Sequence, residues 1–148
     1  MIYKHIMVAI DGSNISNLAL QEAMLFTKEQ HARLRIINVV DESIANYIEG
    51  YVDFDALWDA YKEEGNKVLN KAIEKVQPLG IAFETSLVEL KPSSGHLAET
   101  IVAEAQAWPA DLLVIGTHGH RGVSHFFLGS VAERVVRIAT MPVLLIRG

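Results

Sequence analysis

The sequence contains no cysteine, which excludes disulfides, thiolate metal sites and thiol catalysis and fits a reducing compartment. It also lacks a basic excess. Lys and Arg number 13 against 18 Asp and Glu, a formal charge of -5, and the basic residues are scattered, so the charge balance offers nothing for nucleic acid. Long apolar runs are missing too. The opening MIYKHIMVAIDGS has one short run and then a turn, which is neither a signal peptide nor a membrane anchor, and the expected location is the cytoplasm. No internal repeat or low-complexity segment interrupts the chain. With 148 residues, half of them hydrophobic and 21% charged, the composition is that of one globular domain, 1–148, with a single core.

Apolar runs of strand length alternate with helical periodicity from end to end, the pattern of a parallel sheet covered by helices on both faces. Strands are expected at His5 to Ile10, Leu34 to Val40, Ile81 to Leu90, Asp111 to Ile115 and Val143 to Ile146. The first is almost wholly apolar, as a central strand buried on both sides should be. The third begins with alternating residues, which places it at an edge. After Asp11-Gly12-Ser13 a helix capped by Ser13 is expected to bury Ile15, Leu18, Ala19, Ala23 and Phe26. A long helix from about Phe54 to Gln77 is closed by Pro78 and Gly80. Its aromatics Trp58 and Tyr61, with Phe54, Tyr47 and Tyr51 in the entry, read as a face packed on the sheet or, more sharply, as a lid over a ligand. A third helix buries Leu97, Ile101, Val102 and Ala105, and a last one runs from Ser130 to Ile138.

The informative stretch is Gly116 to Ser130, GTHGHRGVSHFFLGS, between the fourth strand and the last helix. Gly116, Gly119 and Gly122 let the backbone approach a ligand, and Gly129-Ser130 presents N–H groups at a helix N-terminus, where negative charge is favoured. No lysine precedes Ser130, which excludes a P-loop. The position after a late strand also argues against the dinucleotide fingerprint of a first βα turn. The basic groups of the loop are His118, His120, Arg121 and His125. Three histidines raise the question of a metal, but without an ordered acidic partner they read as solvated loop residues. His5, His31 and His96 read as surface residues.

In an open parallel sheet, ligands bind beyond the C-terminal strand ends where the strand order reverses. Three loops meet there. Asp11 offers a carboxylate to ribose hydroxyls or a metal-bound water, Val39 an apolar wall, and Gly129-Ser130 an anion cradle; together they describe a nucleotide pocket. Each part taken alone has a plainer reading as turn, core or helix start. The final strand, Val-Leu-Leu-Ile, is poorly guarded if it lies at an edge, and pairing with its copy in a second chain would cover it. A homodimer through Val143 to Ile146 is expected.

The chain resembles the universal stress proteins of the UspA family. Their nucleotide signature, Gly-x-x-Gly, nine residues, Gly-Ser/Thr, stands here as Gly116, Gly119, Gly129 and Ser130. Val8-Ala9-Ile10-Asp11-Gly12-Ser13, Gly95 to Glu99, Gly129 to Val135 and Pro142 to Ile146 support the match over nearly the full length. The fold expected is a Rossmann-like, adenine nucleotide alpha hydrolase-like α/β sheet of five parallel strands in the order 3-2-1-4-5. The resemblance implies an ATP-binding, usually dimeric cytoplasmic protein made under stress, in the branch that keeps the glycine motif. Carried over by position, adenine would lie by Ala9, Val39 and Ile115, and the ribose near Asp11 and Gly116. The phosphates would lie on Gly119, Gly129, Ser130 and Val131 beside Arg121, with Mg or Mn on their oxygens and no metal ligand from the protein. Relatives often carry a denser set of Arg or Lys in the loop. Here His120, Arg121 and His125 stand instead, so phosphate affinity is expected to vary with pH around neutrality.

Phosphoryl transfer needs cations clamping the transferred group and a residue orienting the nucleophile, and this loop offers one Arg and no base beyond Asp11. The expectation is a nucleotide-dependent regulatory or stress-tolerance protein with little or no turnover, whose ATP-bound surface meets a protein partner. The alternatives are a slow ATPase, another nucleotide-processing enzyme using His118 or His120 as general acid, and a dimeric interaction module with an empty pocket. Nucleotidyl transferases and hydrolases of this scaffold place His-x-Gly-His after the first strand, where this chain has Asp11-Gly12-Ser13.

Overall fold

A computed structural model describes residues 2–41, 54–90, 96–118 and 128–148. The elements alternate as read from the sequence: β1 (His5–Ala9), α1 (Asn14–Gln30), β2 (Arg33–Asp41), α2 (Phe54–Val76), β3 (Ala82–Leu90), α3 (Leu97–Ala107), β4 (Leu112–Gly116), α4 (Ser130–Ile138) and β5 (Val143–Ile146). All strand pairs are parallel, in the order β3-β2-β1-β4-β5. The chain winds outward from β1 to β3, then returns to the other side of β1 for β4 and β5. The order therefore reverses between β1 and β4.

Because side chains alternate across a strand, the two faces of the sheet feed two cores. On one face Ile6, Val8, Leu34, Ile36 and Val114 pack against Ala19, Leu20 and Ala23 of α1 and Leu69, Ala72 and Val76 of α2. On the other, Met7, Ile37, Leu113 and Ile115 pack against Ala98, Ile101, Val102 and Ala105 of α3 and Val135 of α4. β1 and β4 are buried on both sides, which is why they read as continuous apolar runs.

Several elements depart from the reading. The helical face that α1 buries is Ser16, Ala19, Leu20, Ala23 and Thr27, and Leu18 is exposed. Two polar side chains enter the core face because each finds a local acceptor: Thr27 Oγ1 donates to the Ala23 carbonyl at 2.7 Å, and Ser16 Oγ to the Ser13 carbonyl at 3.0 Å. β1 stops at Ala9, one residue early, and β4 runs on to Gly116. α2 ends at Val76; Gln77–Leu79 tighten into a 3-10 turn closed by Gly80 at φ 66°. Leu97, expected in the core, is half-buried, and Ala98 takes its place. Ser13 caps α1 as read, its hydroxyl accepting from the Ser16 N–H. His31 and His96 are exposed, whereas His5 is half-buried with its ring edge-on to Trp108, the centroids 5.0 Å apart. The lid reading of Tyr47 and Tyr51 lies outside the described residues. Trp58 is half-buried on α2, with the Lys62 ammonium 5.9 Å from its ring centre.

Candidate nucleotide site

The central strand is the shortest at the C-terminal end of the sheet. Its ladder with β2 closes at Ala9 opposite Ile37, while β2 continues with β3 as far as Asp41 opposite Leu90. On the other side β1 closes at Val8 opposite Val114, while Ile115 and Gly116 pair onward with Leu145 and Ile146 of β5. The result is a notch over the end of β1, flanked by β2 and β4, where the strand order reverses. Ala9, Val39 and Ile115 belong to the core cluster on the α3 and α4 face, and Val131 from the first turn of α4 packs into the same cluster. Four of the residues carried over from the sequence thus share one apolar surface. Ala9, the floor, is the smallest side chain able to line it.

Asp11 follows the floor in a turn that its own side chain organises. Oδ1 accepts from the Ser13 N–H at 2.9 Å, and the Asp11 N–H donates to Ser16 Oγ at 3.3 Å. Gly12 between them sits at φ 84°, a left-handed conformation that costs other residues about 1–2 kcal/mol. One carboxylate oxygen is therefore engaged in holding the turn.

The glycines flanking the loop are packing devices as well as cradle elements. A Cβ on Gly116 would stand 2.6 Å from Ile15 Cγ2, so the end of β4 and the first turn of α1 meet only because Gly116 has no side chain. At the other end of the loop, the Gly129 N–H donates to the Thr117 carbonyl at 2.9 Å, and a Cβ there would stand 2.8 Å from that oxygen. This revises one expectation: the Gly129 N–H is committed to Thr117, so the donors at the start of α4 begin with Ser130. Gly129 is the N-cap and supplies no side-chain hydrogen bond. The first N–H groups of α4 have no acceptor within the helix. Gly119, Arg121, Gly122, His120 and His125 lie outside the described residues. His118 is described, its Nδ1 3.0 Å from the Thr117 hydroxyl.

α3 and α4, which back this face, are joined by an ion pair. Arg134 Nε donates to Glu99 Oε1 at 2.8 Å, and this hydrogen bond holds the Glu99 carboxyl below its usual value of 4.5. Among the described residues no three His, Asp or Glu cluster so as to hold a metal ion, and no helix is long and apolar enough to cross a membrane. The donor set suits a ligand with one apolar flat part and one anionic part: an apolar notch on one side, an uncapped helix start on the other.

The model of the universal stress protein family matches residues 2–147. The chain belongs to the universal stress protein family. A universal stress protein of Methanocaldococcus jannaschii is 35% identical over 146 residues, covering 99% of this chain and 83% of its own. A family member from Burkholderia pseudomallei has a crystal structure that superposes with a TM-score of 0.81 at 35% identity, covering 99% of this chain and 98% of its own. Another universal stress protein, 25% identical with a TM-score of 0.71 and coverage of 99% of both chains, was crystallised in complex with cAMP.

Sequence reading missed three residues that build the site. Thr117 closes the loop, Ser16 receives the Asp11 N–H, and Asn38, 7% exposed, donates its amide to the Ile10 carbonyl at 2.9 Å. A buried polar residue within the apolar run Leu34 to Val40 was the available signal for Asn38.

Proposed function

We propose that this universal stress protein binds an adenine nucleotide, ATP with Mg or Mn on its phosphates, in the notch above β1, and that occupancy rather than turnover is its function. The observation that carries the reading is the missing end of β1 beside the start of α4. Adenine lies between Val39 and Ile115 on Ala9, its flat apolar faces matching their surface. The ribose meets Asp11 and Gly116. The phosphates meet the N–H groups of Ser130 and Val131, where the helix dipole adds to hydrogen bonding, with Gly119 and Arg121 from the loop and Gly129 closing it. The cAMP complex of a relative supports an adenine-type ligand. Little catalysis is expected, since Asp11 already holds its own turn and no cluster of acids organises a metal among the described residues.

We further propose a homodimer through β5, in a cytoplasmic protein whose 148 residues form one domain. The edge of β5 carries no charged side chain, whereas the opposite edge strand, β3, carries Glu84 and Glu89. The ATP-bound dimer then presents a surface to a protein partner.

The test is to denature purified protein, identify released nucleotide by mass spectrometry, and time ADP formation on incubation with ATP and magnesium. Released adenine nucleotide with negligible ADP formation is expected. Turnover near a median enzyme rate of roughly 10 per second would overturn the occupancy reading.

A further inference from the structure

Asn38 faces away from the notch. Its side chain points to α2, where a Cβ on Gly65 would stand 2.7 Å from Asn38 Oδ1. A buried amide in an apolar strand is costly unless it is bonded, and Asn38 is bonded at an informative place. Its Nδ2 donates at 2.9 Å to the Ile10 carbonyl, one residue beyond the end of β1. Ile10 is thereby gripped twice by β2: its N–H donates to the Ile37 carbonyl at 2.9 Å, and its carbonyl accepts from the next residue's side chain.

The Ile10 carbonyl and the Asp11 N–H belong to one planar peptide group. Asn38 holds its oxygen, and Ser16 Oγ receives its N–H at 3.3 Å. With both edges of the plane fixed, the direction in which the chain leaves β1 is fixed, and with it the placement of Asp11. Gly65 lets α2 come close enough to press Asn38 into this position, since any larger residue would collide with Oδ1 and with Leu87 Cδ1, also 2.7 Å from the added Cβ.

We infer that Asn38, backed by Gly65, is a positioning residue for the ligand site: it sets the Ile10-Asp11 peptide and so the turn that carries Asp11 and Ser13 beside the notch. Its effect on ligand affinity rests on the nucleotide-binding reading; its effect on the turn does not.

The test is Asn38→Leu, which keeps the size and removes the donor, followed by amide hydrogen exchange and ATP titration at a temperature where the variant is fully folded. Exchange at the Asp11 and Ser13 amides should accelerate by about ten-fold or more while Ile6 to Val8 stay protected, a local opening rather than a global one. ATP should bind roughly five- to ten-fold more weakly, the size of one hydrogen bond. Unchanged exchange at Asp11 and Ser13, or a uniform rise across the core with unchanged ATP affinity, would overturn the inference. If the leucine is not accommodated, Asn38→Ala, which removes the donor without added bulk, carries the same readouts. Should the unmodified protein bind no ATP, the nucleotide reading fails on its own, and exchange at Asp11 and Ser13 still decides the role of Asn38.

Discussion

The Gly129 N–H donates to the Thr117 carbonyl at 2.9 Å, so the loop after β4 closes on its own starting point one residue before α4 begins. The same oxygen would lie 2.8 Å from any Cβ at position 129. Because φ at Gly129 is -64°, which any residue can adopt, its requirement for glycine is one of contact. Gly129→Ala should therefore lower stability by about 1–3 kcal/mol through overpacking, measured by chemical denaturation. An unchanged midpoint would mean that the closure is not a tight contact.

Ser130 allows the ligand to be tested without disturbing the fold. It is the exposed first residue of α4, where a carboxylate complements the helix dipole and adds about 0.3–1 kcal/mol. Ser130→Asp should keep or raise the thermal midpoint while weakening ATP binding by about 100-fold or more, since a like charge close to the phosphates costs several kcal/mol in a partly desolvated site. Undiminished ATP affinity would remove the phosphates from the start of α4.

Gly116 and Ile15 should be coupled. Gly116→Ala forces a Cβ to within 2.6 Å of Ile15 Cγ2 and should cost about 1–3 kcal/mol. Shortening Ile15 to alanine makes room for that methyl, so the double variant should be more stable than the two single losses predict, by an interaction of about 0.5–3 kcal/mol. Strict additivity in a double-mutant cycle would show that the two do not meet.

The Glu99–Arg134 pair gives an acid dependence with a definite sign. The folded-state pKa of Glu99 lies below its ordinary value of 4.5 because Arg134 donates to the carboxylate. Its stabilisation is thus present above about 4.5 and is lost as the pH falls through the lower folded value. Glu99→Gln should flatten this part of the stability profile by lowering stability above about 4.5 while changing it little at more acidic pH. An identical acid limb in the variant would assign the titration elsewhere.

Thr117 and Leu113 donate to the carbonyls of Ile146 and Pro142, so alternate β5 residues face β4, and Val143 and Leu145 direct their backbone groups outward. Leu145→Pro would remove an outward donor, a change that edge strands tolerate. It should leave the proposed β5 dimer as a folded monomer in sedimentation at micromolar concentration; a dimer that persists would place the interface elsewhere.

The alternation of strands and helices was legible because strand-length apolar runs and helical periodicity mark the elements, whereas the sheet order was expected from the resemblance to the universal stress proteins. α4 and β5 have the bounds read from the sequence. What escaped depended on hydrogen bonds that hydropathy does not carry. Leu18, expected in the core, is exposed, while Thr27, which was not among the expected core residues, is buried with its hydroxyl bonded back to the Ala23 carbonyl. Within the site, Ala9, Val39, Ile115 and Val131 do share one surface, because strand parity and helix phase fix where they point. The commitment of the Gly129 N–H and the fastening by Asn38 are long-range contacts, between residues 12 and 28 positions apart in the chain; the polar Asn38 within an apolar run marks itself, but nothing local names its partner.

Calorimetric titration of ATP and magnesium into nucleotide-free protein decides whether the site above β1 holds a nucleotide. Saturable binding at one site per chain is expected in the unmodified protein, with its loss in a fully folded Ser130→Asp variant. Absence of binding to the folded, unmodified protein at ATP concentrations up to about 1 mM, where an affinity of roughly -4 kcal/mol would be detected, would contradict it.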